Sequence, residues 1–284
     1  MATPIYSQTF RVRINEIDPH KRATCAALSN WMMEAASVHA DLLGVSTTSL
    51  HGMGAAWALT RLVMELDDMP LSEQETLLRT WPTSLERLQF RRDFCLYSLD
   101  QRVLARAVSF WVNMDLQSRK VLRLPQEYKN LVSDTAEHAM EVEKSILSRL
   151  TLPETFSPDT GPGNLGHPVL PEDLPVARLA GQARILVRRS DLDVNRHVNT
   201  VRYMEWLLES VPQSIWEGFR LRRVEVACRA EVFGGTAVSR CIACKLPDSL
   251  PGDAGFVSSV MAEEDGGERE VLRALMYWQP VTKL

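Results

Sequence analysis

The chain has 284 residues, of which 45% are hydrophobic and 24% charged, a composition typical of globular proteins with well-filled cores. The chain has 32 basic and 36 acidic residues, and its net charge of −4 gives no reason to expect a nucleic acid as partner. Five scattered cysteines predict reduced thiols, and without a signal-like amino terminus or an apolar run of bilayer length we expect a cytoplasmic protein with no membrane anchor.

The first part of the chain has the pattern of several strands and one long helix. Alternation and β-branched or aromatic content predict a strand at 8–14 and four more at 57–66, 76–85, 89–98 and 103–114. Between the first two of these strands, apolar residues at helical spacing predict a helix at 26–43. Helical spacing with many charges at 126–150 indicates one or two further helices.

A proline-rich stretch divides the chain. Six of the fifteen prolines fall between 153 and 175 together with three glycines, a composition that resists both helix and central strand. We therefore predict an N-terminal module at 1–135, a connecting segment with a helix and a proline-rich crossing at 136–180, and a C-terminal module at 181–284.

The part after the connection repeats the order of the first part. It reads as a strand at 183–188, a helix at 200–210 and strands at 221–232, 236–245, 255–263 and 270–277. A constant offset in residue number (209 − 34 = 175) aligns Glu34 with Glu209 and Trp31 with Trp206 without a gap. One long helix with an antiparallel sheet, repeated twice, predicts an α+β fold of two similar modules.

The densest chemical segment, 190–199, joins a predicted strand to a predicted helix. Its members also have ordinary interpretations, such as Asn199 as a helix cap and His197 as a packed histidine. The combination favours a site, because Asp193, Asn195 and His197 alternate and can point to one side of an extended segment.

Such a segment has the groups that attack of water on an acyl carbon needs. A carboxylate takes a proton from water, and an amide and an imidazole orient the reactants. Backbone N–H groups at the start of the helix, at Val198 and Asn199, are candidate donors to the oxyanion.

The stretch from Ser190 to Trp206, SDLDVNRHVNTVRYMEW, resembles the signature of the acyl-acyl carrier protein (acyl-ACP) thioesterases of plants and bacteria. The resemblance covers nearly the whole chain and implies a tandem (double) hot-dog fold, in which each module wraps an antiparallel sheet around a long helix. Weaker matches in the first half are Arg22–Thr24, Trp57–Arg61, Arg91–Asp93 and Ala107–Met114.

This resemblance also implies the catalytic residues. The family's Asp, Asn and His fall on Asp193, Asn195 and His197, and its Glu, on the following strand, falls on Glu231. Plant members have a cysteine after that glutamate, where this chain has Val232, so a cysteine nucleophile there is impossible and attack by water is favoured. Either Asp193 or Glu231 can be the base.

The remaining cysteines are not expected to take part. On the predicted strand, Cys228 lies three residues from Glu231 and so on the opposite face. Cys241 and Cys244 face opposite ways by the same rule, and no second pair completes a zinc site. We expect no metal and no dissociable cofactor, since the substrate itself carries phosphopantetheine.

One active site per chain is expected. The same offset places Asp18, His20 and Arg22 at the positions of the catalytic set, so the first module lacks an imidazole at the matching place. The first module would then serve the acyl tail, a division that the resemblance also implies.

The expected activity is hydrolysis of fatty acyl-ACP to free fatty acid and acyl carrier protein. An acyl-CoA thioesterase is the alternative enzyme, and a non-catalytic acyl-thioester binding protein is the alternative of another class. Monomer and homodimer both remain open. Because acyl carrier proteins are acidic, we expect a basic docking surface with the candidates Arg196, Arg202, Arg220, Arg222 and Arg223.

Overall fold

The computed structural model describes residues 5–86, 88–132, 137–145, 147, 178–193, 196–244 and 253–281. The chain divides into two compact units, the first ending at Val142 and the second beginning at Glu143. Most of the predicted proline-rich connection lies outside the described residues, and the predicted module bounds stay a prediction. No helix in the described ranges is long and apolar enough to cross a membrane.

The first unit is an antiparallel sheet with one long helix. Its strands follow the order β1-β3-β4-β5-β2, and the short β6 pairs with β5. The elements are β1 (Tyr6–Arg11), α1 (Cys25–Leu42), α2 (Thr47–Gly52), β2 (Ala55–Leu66), β3 (Glu75–Glu86), β4 (Gln89–Ser98), β5 (Val103–Asp115) and β6 (Val121–Leu122).

Helix α1 forms because its sequence combines a cap with a regular apolar face. The side chain of Thr24 accepts a hydrogen bond from the N–H of Ala27, which satisfies one of the free donors of the first turn. Leu28, Trp31 and Met32 follow at helical spacing and are all buried. Burying side chains of this size contributes about 1.5–3 kcal/mol each, so this face holds the helix on the sheet.

The second unit has the same topology. Its strand order, β8-β11-β10-β9-β7, corresponds to β2-β5-β4-β3-β1 of the first unit. Its elements are β7 (Arg178–Leu186), α3 (Thr200–Glu209), α4 (Gln213–Gly218), β8 (Phe219–Cys228), β9 (Thr236–Cys244), β10 (Ala254–Glu264) and β11 (Gly267–Pro280). The predicted α+β class and the repeated helix-and-sheet order are therefore confirmed.

The repeat extends to single backbone angles. Helices α1 and α3 begin at Cys25 and Thr200, which are related by the same offset as the aligned sequences. At equivalent positions before the two helix caps, the chain takes the left-handed conformation, with φ of 62° at Lys21 and 65° at Arg196. Neither residue is glycine, so both units keep the same locally unfavourable turn.

Glycine is required where β7 passes under the end of α3. A Cβ placed on Gly181 would lie 2.1 Å from the carbonyl oxygen of Ser210. That distance is far inside van der Waals contact and involves backbone, so no side-chain rotation can relieve it.

Two predictions of local structure were wrong. The strand predicted at 221–232 ends at Cys228, because the N–H groups of Arg229 and Ala230 both donate to the carbonyl of Val271 and the ladder cannot continue in register. Glu231 therefore lies on the connection between β8 and β9 and not on a strand.

The second concerns 126–150. A 3₁₀ helix covers Gln126–Leu131, but residues 137–145 form no helix. Side chains of the first unit take the backbone groups that a helix would use. The carbonyl of Glu137 accepts from Trp81 Nε1, the N–H of Ala139 donates to Asp93, and the carbonyl of Met140 accepts from Arg91.

Candidate active site

The segment before α3 folds into a tight loop that brings Asp193 and His197 together. Leu192 and Val198 form an isolated antiparallel bridge that closes the loop. Inside it, the N–H of Asp193 donates to the carbonyl of His197 at 2.8 Å, and the N–H of Arg196 donates to the carbonyl of Asp193 at 3.0 Å. The left-handed conformation of Arg196 lets the chain reverse within these few residues.

The N-terminus of α3 is capped by the protein itself. Asn199 accepts from the N–H of Val201 at 3.0 Å, so its interpretation as a helix cap is confirmed. The N–H of Val198 donates to the carbonyl of Val232 at 2.7 Å, and the N–H of Asn199 donates to the carbonyl of Asp191 at 2.8 Å. Both N–H groups therefore have protein acceptors, and their role as donors to an oxyanion stays a prediction.

The connection after β8 brings a second carboxylate to the loop. Glu231 Oε1 lies 3.6 Å from His197 Nδ1, and Asp193 Oδ1 lies 4.0 Å from the same nitrogen. The side chain of His197 is 16% exposed and those of the two acids about 30%, so the group is half-buried. Both distances are longer than a hydrogen bond, which leaves room for adjustment around a substrate.

An aromatic side chain borders the imidazole. The ring of Phe233 meets the His197 ring edge-on with centroids 5.2 Å apart, although Phe233 is 63% exposed. Phe233 follows Glu231 by two residues on the same connection, so one short segment supplies two of the groups next to the imidazole. The sequence analysis missed Phe233, and no pattern in the sequence separates it from an ordinary surface aromatic.

The fourth predicted catalytic residue, Asn195, lies outside the described residues. Its role as an orienting or oxyanion-binding amide stays a prediction. Among the residues that the structure does describe, no group of three His, Cys, Asp or Glu side chains is placed to hold a metal ion.

The first unit repeats the loop and its aspartate, but has Arg22 at the place of His197. The N–H of Asp18 donates to the carbonyl of Arg22 at 2.8 Å, and the carboxylate of Asp18 accepts from the N–H of Arg22 at 2.9 Å. In the second unit the carboxylate of Asp193 likewise accepts from the N–H of His197, at 3.3 Å. The aspartate therefore closes the loop in both units, whether or not an imidazole is present.

The equivalent of Glu231 in the first unit is Met69. Ala23, which the offset aligns with Val198, donates its N–H to the carbonyl of Pro70 at 2.8 Å, as Val198 does to Val232. Met69 precedes Pro70 as Glu231 precedes Val232. The imidazole and the glutamate thus occur together in the second unit and are both missing from the first.

Cys228, the cysteine nearest to Glu231 in the sequence, is poorly suited as a nucleophile. The argument that Cys228 faces away from Glu231 along one strand was wrong, because the strand ends at Cys228. A different observation disfavours the thiol: although the residue is only half-buried, desolvation of its sulfur raises the pKa of Cys228 to about 12 and so disfavours the thiolate. Cys241 is buried, and the side chain of Cys244 lies outside the described part of the chain.

The predicted docking arginines differ in their surroundings. Arg196 is exposed at the tip of the loop. Arg202 is engaged by Glu205 at 2.8 Å and lies 3.8 Å from Asp191, and the hydrogen bond from Arg202 to Glu205 raises the pKa of its guanidinium. On β8, Arg220 is exposed and donates to Gln279, whereas Arg222 and Arg223 are half-buried.

Comparison with known proteins shows what this chain resembles. Models of the acyl-ACP thioesterase N-terminal and C-terminal domains match residues 4–132 and 178–269. Oleoyl-acyl carrier protein thioesterase 1 of Arabidopsis thaliana is 30% identical over 80% of this chain, and the dodecanoyl-[acyl-carrier-protein] hydrolase of Umbellularia californica is 24% identical over 97%. The chain spans 60% of the first of these relatives and 68% of the second.

Two solved structures share the fold over nearly their whole length. An acyl-ACP thioesterase from Bacteroides thetaiotaomicron has a TM-score of 0.75 at 23% identity, covering 97% of this chain and 98% of its own. The 12:0-ACP thioesterase from Umbellularia californica has a TM-score of 0.73 at 22% identity, covering 99% of both chains. The predicted tandem hot-dog fold is confirmed.

Proposed function

The chain belongs to the acyl-ACP thioesterase family, and on that premise we propose that it hydrolyses fatty acyl-ACP thioesters to free fatty acid and acyl carrier protein. The observation that supports this most directly is the contact between Glu231 and His197 at 3.6 Å. A carboxylate beside an imidazole, half-buried at the start of a helix, is suited to activate water next to an acyl carbon.

We assign Glu231 as the base. The carboxylate of Asp193 is already used to close its loop, and Asp18 does the same in a unit that has no imidazole at the matching place. Glu231 has no such counterpart, because Met69 occupies its place in the first unit. The difference between the two units therefore supports Glu231 and His197 as the chemical pair.

In the proposed reaction, Glu231 takes a proton from water as the water oxygen forms a bond to the acyl carbon. His197 holds the carboxylate and the water in line, and the side-chain amide of Asn195 donates to the developing oxyanion. When the intermediate collapses, the carbon–sulfur bond breaks and the thiolate takes the proton from Glu231. The products are the free acid and the phosphopantetheine thiol of the carrier.

The acyl carrier protein is proposed to dock beside the loop. Its acidic surface is complementary to a basic one, and Arg196 is the exposed candidate nearest to the catalytic pair along the chain. Arg202 is less suited, because its guanidinium is engaged by Glu205.

The test compares Glu231→Gln with the wild-type protein on panels of acyl-ACPs and acyl-CoAs, following both thiol release and free fatty acid. The amide keeps the size of the side chain but cannot take a proton, so we expect turnover of acyl-ACP to fall by a factor of about 10² or more. Glu209→Gln, an exposed change on the same unit, is the control and should be near wild type.

Three results would count against the proposal. Turnover by Glu231→Gln equal to that of the wild-type protein would show that Glu231 is not the base. Faster cleavage of acyl-CoA than of acyl-ACP would show that coenzyme A, and not acyl carrier protein, is the preferred carrier of the acyl group. Tight binding of acyl-ACP by the wild-type protein without thiol release would favour the non-catalytic binding protein.

A further inference from the structure

A buried hydroxyl group holds the peptide that follows Glu231. Tyr203 lies on α3 with 5% of its surface exposed, and its hydroxyl oxygen accepts a hydrogen bond from the N–H of Val232 at 3.2 Å. Burial raises the pKa of Tyr203, so the hydroxyl stays protonated at neutral pH. The ring packs edge-on against Trp206, which fixes the direction of the hydroxyl.

Two more contacts hold the backbone on either side of this peptide's N–H. The carbonyl of Val232 accepts from the N–H of Val198, and the carbonyl of Glu231 accepts from Arg269 Nη2 at 3.1 Å. Since Glu231 is outside the sheet, no strand ladder fixes its backbone. Three hydrogen bonds hold the backbone next to Glu231, and the one from Val232 to Tyr203 joins it directly to the helix.

The first unit shows that the module can pack without this hydrogen bond. At the place of Tyr203 in the aligned helix stands Leu28, which is 1% exposed and has no hydroxyl. At the place of Val232 stands Pro70, which has no N–H to donate. Donor and acceptor are therefore both absent from the unit that has Met69 in place of Glu231.

Resting on the proposed function, we infer that Tyr203 is a positioning residue for Glu231: its hydroxyl sets the backbone of the connection so that the carboxylate reaches the imidazole. Packing alone does not require the hydroxyl, because the same helix face packs in the first unit with leucine. The hydroxyl occurs in the unit that has the catalytic pair. Tyr203 is not proposed to touch the substrate.

The experiment removes the hydroxyl alone. In Tyr203→Phe the ring and its contact with Trp206 remain, and kcat should fall about tenfold with KM unchanged, because small displacements of a reacting group cost large factors in rate. The matched control is Ser210→Ala, which removes a buried hydroxyl at the end of the same helix; that hydroxyl donates to Leu207 and accepts from Ser239. It should lose stability at least as much but keep its kcat.

A double-mutant cycle separates positioning from stability. In the Glu231→Gln background there is no carboxylate base to position, so Tyr203→Phe should add less than a twofold loss, whereas independent effects would multiply to the full tenfold. An undiminished tenfold loss in that background, or wild-type kcat for Tyr203→Phe, would overturn the inference.

If Tyr203→Phe does not fold, Arg269→Gln tests the same peptide, because Arg269 donates to its carbonyl group, that of Glu231. Its control is Glu264→Gln, which removes the exposed ion pair of Arg269 at 2.6 Å but leaves the contact with Glu231 possible. We expect a loss of kcat in the first variant only, and equal activities would count against positioning of this peptide. A wild-type protein that cleaves no acyl-ACP would refute the proposed function instead, which keeps the two failures distinct.

Discussion

Replacing Asp93 by alanine should destabilise the first unit far more than an ordinary loss of an ion pair. Asp93 is fully buried and accepts from Arg91 Nε at 2.8 Å and Nη2 at 2.9 Å, from the hydroxyl of Thr83, and from the N–H of Ala139 at 2.9 Å. Without it, Arg91 stays as a buried cation with only the carbonyl of Met140 as a described acceptor.

The size of the effect follows from this burial. Breaking a buried pair from one side costs about 3–5 kcal/mol, against a total stability of roughly 5–15 kcal/mol for a domain. At about 2–4 °C per kcal/mol for a chain of this length, Tm should fall by about 6–20 °C. Urea denaturation followed by tryptophan fluorescence measures the free energy of unfolding, and thermal melts measure Tm.

The matched control is Asp68→Ala. The pair of Asp68 with Arg102 has the same 2.8 Å distance, but its side chains are 45% and 57% exposed. Such pairs contribute about 0–1 kcal/mol. A loss below about 1 kcal/mol for Asp93→Ala, or equal losses for both variants, would refute the reasoning from burial.

Three further outcomes are expected. Gly181→Ala should lower the Tm of the protein by several degrees in thermal melts, because its Cβ meets the carbonyl of Ser210; an unchanged melt would show that β7 can shift. Cys228→Ser should keep most of its acyl-ACP turnover. Iodoacetamide should not label Cys228 in the folded protein at neutral pH, because its thiol ionises only near the raised pKa of about 12. Loss of activity on substitution of Cys228 or on its labelling would favour a thiol mechanism. Arg196→Glu should weaken acyl-ACP turnover through KM, most strongly at low salt, and an unchanged salt dependence would remove it from the docking surface.

The sequence predicted the fold well where periodicity was strong. The helices predicted at 26–43 and 200–210 occur at Cys25–Leu42 and Thr200–Glu209, and the strand predicted at 89–98 occurs at Gln89–Ser98. These elements bury one continuous face, so the spacing of their apolar residues is decided by packing. The constant offset between the two halves is enough to align the equivalent loops from sequence alone.

Other features depend on contacts that no local pattern contains. The end of β8 is set by two N–H groups that share the carbonyl of Val271, and the sequence through Glu231 continues to alternate as a strand would. Residues 137–145 have helical spacing, but Arg91 and Asp93 take their backbone groups. The roles of Asn195, of the docking arginines and of the first module as the holder of the acyl tail stay predictions.

Tyr203 was missed although a signal existed. It belongs to an apolar stripe whose spacing predicts a core position, and the aligned helix has Leu28 at the same place. When one copy of a repeated helix has a hydroxyl at the position where the other has leucine, the difference indicates a polar contact that only one copy makes.

The loop retained at Asp18–Arg22 makes the first unit a starting point for engineering. Its backbone turn, its left-handed residue at Lys21 and its closing aspartate are in place, so a second reactive centre would need new side chains and no new loop. Arg22→His and Met69→Glu would supply the pair, and Leu28→Tyr the hydroxyl. Pro70 would have to be exchanged as well, since a proline ring has no hydrogen to offer that hydroxyl.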